Sequence, residues 1–258
     1  MNDVDLSIQI VNYKTKKYLE PLLESISDDL VNENLSYEVL VLDNSSGDNL
    51  NDIIDEWNDR NVHVYFSDAN NGFGAGHNLL ANKAKGKYLL LLNPDTLIIE
   101  KQTIPRLLKT LVKNNALVIG PALLQMKDAG KGPISLKDKP KFKLMPQEWD
   151  HGELVVSKKD KVTIFSERLV LGEVAWVSGA ALLMQRSTFN EIDGFDENFF
   201  LYKEEEDLCL RIRKKGHSVL YDPNVKILHF GSVVAFKDKY FAASLAYYRE
   251  KNGDEDTV

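Results

Sequence analysis

The chain has 258 residues, 43% hydrophobic and 28% charged, with a net charge of −7. That length can bury a sizeable core in one large α/β domain or two small ones, and the acidic balance argues against a general nucleic-acid binder. The single cysteine, Cys209, excludes an intramolecular disulfide framework and suits a reducing compartment.

From the N-terminus, "LSIQIVNY" is short and β-rich, and "TKKYLEPLLESI" follows with Leu19, Leu22, Leu23 and Ile26 at helical spacing. Thr15 is the expected N-cap of that helix, and Pro21 is expected to kink or delay it. "YEVLVLDNSS" predicts a second strand running into a polar turn, "NLNDIIDEW" a short helix and "VHVYFSD" a third strand. The Gly/Asn-rich "ANNGFGAGHN" then leads into a helix through "LLANKAKG". "KYLLLLNPD" predicts a fourth strand, "IPRLLKTLVKN" a helix with Pro105 near its first turn, and "ALVIGPALL" a fifth strand. Strands alternating with helices imply a doubly wound, mostly parallel sheet, and the near-continuous apolar strands fit burial on both faces.

The rhythm breaks over 126–161, which is rich in Lys, Pro and Gly and has no sustained period. It returns with "VAWVSGAALLMQR", then with a helix carrying "EEEDLCLRIRKK" that stops at Gly216, and with strand in "SVLYDPNVKILHFG". An amphipathic stretch from Phe236 to Arg249 precedes an acidic tail, 251–258, expected to be disordered. No N-terminal basic segment leads into an apolar one, and no apolar run reaches the roughly 20 residues of a spanning helix. The expected location is the cytoplasm, with peripheral contact at the inner membrane face left open. Lys137, Lys139, Lys141 and Lys143, beside Phe142, are where anionic headgroups would be met, against the plainer expectation of a solvated loop.

Three polar clusters fall at predicted strand ends: Asn12-Tyr13, Asp43-Asn44-Ser45-Ser46 and Asn93-Pro94-Asp95. Each alone is a turn; together they sit where open parallel sheets bind ligands, outside the carboxyl ends of the strands. Gly72, Gly74 and Gly76 before a helix would let backbone N–H groups approach an anion, although the lysine and hydroxyl of a phosphate-loop NTPase are missing. Four successive acids, Glu204 to Asp207, exceed what complementing a helix dipole requires and suggest an acid with a perturbed pKa, suited to general-base work. His229 gains meaning only beside Asp95, since a carboxylate and an imidazole can share a divalent cation with phosphate oxygens.

These pieces, in this order, resemble the family-2 inverting glycosyltransferases of the GT-A fold, most nearly the bacterial rhamnosyltransferase branch. "IVNYKTKKYLEPLLESI", "VLDNSS", "NNGFGAGHN", "LLLLNPDTLI", "WVSGAALLMQR", "GFDENFFLYKEEEDLCLR" and "LHFGS" carry the resemblance. It implies one Rossmann-like domain over 1–250. Residues 1–125 would form the nucleotide-sugar-binding half, 126–161 an irregular acceptor-side segment, and 162–250 a smaller mixed acceptor and catalytic half. Asn12, Tyr13, Asp43, Asn71, Gly72, Asn78, Asn93 and Asp95 would line the donor site. Asp95, the last acid of a reduced metal-binding motif, would hold Mg²⁺ or Mn²⁺ together with His229. Trp176, Ser178 and Gly179 would floor the sugar and acceptor site. The family's catalytic Asp is replaced here by Glu205, between Glu204 and the second acid, Asp207. Glu205 is the expected base; Glu204 in that role, or a slow enzyme, are the alternatives.

The implied activity is transfer of a sugar, first of all rhamnose from dTDP-rhamnose, to a hydroxyl of a growing cell-surface polysaccharide or lipid-linked glycan. Partners would be the nucleotide-sugar donor and that acceptor, with a homodimer compatible and nucleic acid excluded. The contrasting expectation is a catalytically silent nucleotide-sugar-binding or scaffold protein. A nucleotidyltransferase is disfavoured because "QIVNYKTKKY" has no glycine.

Overall fold

The computed structural model describes residues 4–126, 144–146, 150–152, 170–231 and 237–253. The expectations for the lysines of the 126–161 segment, for Phe236 and for residues 254–258 lie outside them. In chain order the elements are β1 (Leu6–Asn12), α1 (Lys16–Leu30), β2 (Tyr37–Asp43), α2 (Asn51–Trp57), β3 (Val62–Phe66), α3 (Phe73–Ala81), β4 (Tyr88–Leu92), β5 (Thr96–Ile98), α4 (Thr103–Lys113) and β6 (Val118–Met126). There follow β7 (Leu144–Pro146), β8 (His151–Gly152), β9 (Gly172–Glu173), β10 (Trp176–Val177), β11 (Ala181–Gln185), α5 (Arg186–Glu191), α6 (Glu204–Lys214), β12 (Val219–His229) and α7 (Lys237–Asn252).

One twisted sheet has the order β3-β2-β1-β4-β11-β6-β12-β5, with β7 on β6 and β9 on β12. The first four strands are parallel, as is the β6–β12 pair, while β11 runs antiparallel between β4 and β6. The mixed region expected on the acceptor side is therefore built into this sheet, and the two expected halves share it. β1 pairs with both β2 and β4, so the strand order reverses there and opens a crevice at the carboxyl ends.

The leucines of β4 show why an uninterrupted apolar strand is stable here. Leu90 and Leu92 pack into a layer with Leu19, Leu22 and Ile26 of α1 and Leu107 and Leu111 of α4. Leu89 and Leu91 pack into the opposite layer with Leu80 of α3 and Leu208 and Ile212 of α6. All four are 0% exposed, so both faces of the strand lie in core.

Three local expectations are corrected. α1 runs through Pro21 without delay; Thr15 stands at its N-cap as expected, but its hydroxyl donates to Asn12 Oδ1 at 2.7 Å rather than capping the helix. The helix after the Gly-rich stretch begins at Phe73, so Gly74 and Gly76 lie inside it. They are glycines for close packing: a Cβ at Gly74 would sit 2.8 Å from Phe195 Cβ, and one at Gly76 2.9 Å from Val11 Cγ1. α7 also runs into the expected tail, with Lys251 and Asn252 as its last residues. Among the described residues no helix is long and apolar enough to cross a membrane.

Candidate active site

The parallel register puts Asn12 beside Asp43. Asn12 is fully buried, and its amide donates to Asp43 Oδ1 (2.9 Å), Asp48 Oδ2 (3.0 Å) and Ser46 Oγ (3.3 Å). Asp43 also accepts from the Ser46 hydroxyl and backbone N–H. Asn12 therefore fixes the two strand ends, and half-buried Tyr13 is the neighbour left at the crevice, with the Lys14 ammonium 5.3 Å from its ring centre. A surface hollow of about 410 Å³, lined by Lys14, Lys16, Lys17, Asp48 and Asp52 among others, adjoins this network.

Asn44 ties the same strand end to the Gly-rich turn. Its Nδ2 donates to Asn70 Oδ1 (3.0 Å) and to the Gly72 carbonyl (2.9 Å), and its Oδ1 accepts from Asn71 N–H (3.1 Å). Asn71 is exposed and its amide donates to Ser67 Oγ at 2.9 Å. Gly72 has φ 89°, and a Cβ there would lie 2.2 Å from the Phe200 carbonyl oxygen, which accepts from Phe73 N–H at 3.0 Å. Asn78 is used differently from a pocket-lining amide: it donates to the Phe195 carbonyl and Glu197 Oε1, both 2.9 Å away, and accepts from Phe195 N–H at 2.9 Å. It clamps α3 to the 194–197 turn.

Asp95 and His229 meet. The antiparallel β5–β12 ladder pairs Thr96 with His229, bringing Asp95 Oδ1 to 3.5 Å from His229 Nε2. Asn93 Nδ2 lies 3.3 Å from the same nitrogen, and Gly231 N–H donates to Asp95 Oδ2 at 3.0 Å. Burial alone would push the Asp95 carboxyl up, but the charge and hydrogen bond of His229 and the Gly231 N–H outweigh it and hold the carboxyl below its usual range. An ionised carboxylate oxygen and an imidazole nitrogen that converge in this way suit a divalent cation. Among the described residues no three His, Cys, Asp or Glu side chains form such a group, so the remaining positions would fall to oxygens of a ligand.

The four acids of α6 divide into distinct environments. Asp207, fully buried, accepts from Arg211 Nε (2.8 Å), Lys251 Nζ (2.8 Å) and Asn252 Nδ2 (3.1 Å). Arg211 in turn donates to the Ile192 and Gly194 carbonyls at 2.6 and 2.7 Å, so Asp207 anchors the turn before α6 and the end of α7. Glu206 pairs with Lys203 at 2.8 Å. Glu204 is 2% exposed with Oε2 unpartnered, and burial, then the charges of Glu205 and Glu206, push its carboxyl well above the ordinary range. Glu205 is half-buried. Burial raises its pKa against the opposing pull of its own backbone N–H, Lys203 and the Gly179 N–H.

Gly179 and Ser178 form the turn between β10 and β11 that faces Glu205: a Cβ at Gly179 would lie 3.7 Å from Glu205 Cβ and 3.0 Å from the Phe73 ring. Ser178 Oγ accepts from Ala180 N–H at 3.2 Å. Trp176 is buried one residue pair back, its indole over Gly152 and its Nε1 unpartnered. Asn44, Lys203 and a buried Asp150–His151–Tyr221 cluster were not singled out as site residues by sequence reasoning. In that cluster Asp150 Oδ1 lies 2.6 Å from His151 Nδ1 and Oδ2 accepts from Tyr221 at 2.7 Å. Asn44 lay within a polar strand-end cluster; nothing local in sequence marks the other four.

The model of glycosyl transferase family 2 matches residues 7–164. Rhamnosyltransferase WbbL of Escherichia coli (strain K12) is 27% identical over 234 residues, covering 86% of this chain and 82% of that one. N-acetylglucosaminyl-diphospho-decaprenol L-rhamnosyltransferase of Mycobacterium tuberculosis is 45% identical over 65 residues, 24% of this chain and 21% of its own. Among solved structures, GalNAc-T7 with UDP, GalNAc and Mn²⁺ superposes with a TM-score of 0.69 at 18% identity, over 89% of this chain but 44% of that one. At that identity the likeness bears on fold alone.

Proposed function

Because this chain belongs to glycosyl transferase family 2, with the GT-A fold of the glycosyltransferases it superposes on, we propose that it is a metal-dependent, inverting enzyme whose base is Glu205. The donor is a nucleotide sugar, first of all dTDP-rhamnose, given the rhamnosyltransferase relatives. The acceptor is a hydroxyl of a cell-surface or lipid-linked glycan.

One observation carries the assignment of the base. Of the four acids on α6, Asp207 and Glu206 are held by cations and Glu204 is sealed in the core. Of the four, Glu205 alone combines partial exposure with a raised pKa and no ion pair among the described residues. A carboxylate whose pKa is raised toward neutrality is a better general base, and Glu204 beside it is pushed well up by burial and by the Glu205 charge. In the reaction the acceptor oxygen forms its bond to the anomeric carbon as its proton passes to Glu205. The bond from that carbon to the diphosphate breaks on the opposite face, its electron pair leaving with the diphosphate. A divalent cation held by Asp95 and His229 would offset the charge growing on that leaving group. Tyr13, Asn71 and Gly72 border the nucleoside, while Asn12, Asp43 and Asn78 set the positions of those groups. Trp176, Ser178 and Gly179 shape the floor opposite Glu205.

The test is a screen of dTDP-rhamnose and UDP-hexoses with Mg²⁺ or Mn²⁺ for binding and turnover. Glu205→Gln is expected to keep donor affinity and lose transfer. Full transfer by that variant excludes Glu205 as base, and tight binding without turnover by the wild type points to a silent binding protein.

A further inference from the structure

Beside the Asp95–His229 pair lies a buried polar group that the described site does not use, the phenol of Tyr18. It lies in the first turn of α1 and is 2% exposed, and its Oη has no hydrogen-bond partner in the protein. Its ring packs against Phe230, with centroids 5.3 Å apart. Phe230 N–H donates to the Asp95 carbonyl at 2.9 Å, and the next residue, Gly231, donates to Asp95 Oδ2. Tyr18 is thus seated against the short segment that fastens Asp95 beside His229.

A buried hydroxyl without a partner is costly, and phenylalanine would fill the same space without that cost. Burial, and then the nearby Asp95 charge, push the phenol above its ordinary pKa. A phenol is a neutral O–H donor at working pH in any case, and the Tyr18 hydroxyl makes no hydrogen bond to Asp95. A neutral donor suits this place. It can give an anion a directed hydrogen bond without adding a positive charge that would compete with a cation at Asp95 and His229.

We propose that Tyr18 is a further donor-site residue whose phenol hydrogen-bonds an oxyanion of the diphosphate docking beside Asp95 and His229. The proposal rests on the glycosyltransferase reading above, which puts a nucleoside diphosphate at that pair.

The experiment compares wild type with Tyr18→Phe in the full chain. Calorimetry with dTDP, UDP and GDP in the presence of Mn²⁺ gives diphosphate affinity. Ligand-observed NMR with thymidine, uridine and guanosine gives nucleoside affinity, and a thermal melt without ligand gives stability. Tyr18→Phe is expected to weaken diphosphate binding about ten- to a hundredfold. Nucleoside binding should stay unchanged, and the melting temperature unchanged or higher. Unaltered diphosphate affinity overturns the proposal, as does an equal loss for nucleoside and diphosphate or a fall in melting temperature that accounts for the weaker binding. A wild-type chain that binds none of the three diphosphates overturns the donor reading as well, which separates that failure from the failure of Tyr18 alone.

Discussion

Lys203 and Glu206 face each other across one turn at the start of α6, with the ammonium 2.8 Å from both carboxylate oxygens. Lys203 holds a left-handed backbone (φ 72°) and is 5% exposed, with the rings of Phe241 and Tyr248 of α7 at 5.7 and 5.8 Å. Its charge is one of the influences that hold the Glu205 pKa down. Lys203→Met should therefore raise the Glu205 pKa and shift the acid limb of the pH–rate profile to higher pH, measured as kcat/KM for transfer. Removing one member of a buried pair should also cost about 3 kcal/mol in a denaturant melt.

Glu205→Asp restores the residue that the resemblance leads one to expect, yet it withdraws the carboxylate by one methylene. A displacement of about 1 Å in a positioned group costs around 100-fold in rate. Steady-state kinetics should show that loss in kcat with the donor KM little changed. A gain in kcat would mean that the turn at Gly179 is set for the shorter side chain.

Asp95→Ala removes the ionised partner of His229. Mn²⁺ should then improve nucleoside diphosphate affinity by less than a tenth of its wild-type enhancement, read by calorimetry with and without the ion. The Asp95 pKa is held below its unfolded value, so its contribution to stability is present above that unfolded value and fades as the pH falls through the folded one. Asp95→Ala should flatten that acid loss.

His77 carries a pH dependence of the same sense from a different cause. It is fully buried against Phe73, with ring centres 4.5 Å apart, and burial lowers its pKa from 6.5 to about 3. With the Gln9 amide oriented to donate, its nitrogen lies 3.1 Å from His77 Nδ1, which then accepts as one tautomer of a neutral ring. The unfolded chain takes up this proton first, so stability is full above about 6.5 and falls by roughly 1.4 kcal/mol per pH unit below it. Urea melts of His77→Phe between pH 7 and pH 5 should lose that slope.

Gly72→Ala and Gly216→Ala form a matched pair. Both glycines have positive φ, 89° and 83°, but a Cβ at Gly216 would meet nothing within 4 Å while one at Gly72 strikes the Phe200 carbonyl. Gly216→Ala should cost about 1 kcal/mol. Gly72→Ala should cost about 1–3 kcal/mol more and weaken donor binding, because Phe73 N–H would lose Phe200.

The sequence showed the strand ends because hydrophobic period and polar termini are local signals, and Asp95 and Asp43 fall where those signals predict. Which way a side chain's hydrogen bonds are directed is not local. Asn12 and Asn78 look like ligand-facing amides in sequence, but their donors are engaged by Asp43 and by the Phe195 carbonyl. Gly74 and Gly76 have the spacing of an anion loop, and their cause, the approach of Phe195 and Val11, lies on other elements. The four successive acids look alike in sequence, and only the cations Lys203, Arg211 and Lys251 on Glu206 and Asp207, with the burial of Glu204, separate Glu205 from the rest.

The antiparallel insertion of β11 and, among the described residues, the pairing of β5 with β12 alone govern how the chain can fold as it is synthesised. β5 emerges early and, among the described residues, has only β12 to pair with; Gly231, which holds Asp95 Oδ2, lies 136 residues after that aspartate. The parallel strands β1 to β4 can form while the ribosome is still translating, but β4 keeps a bare edge until β11 arrives. The carboxylate and imidazole that would bind a cation are thus joined only once β12 has emerged, and a nascent chain stalled before it would have no such site to fill.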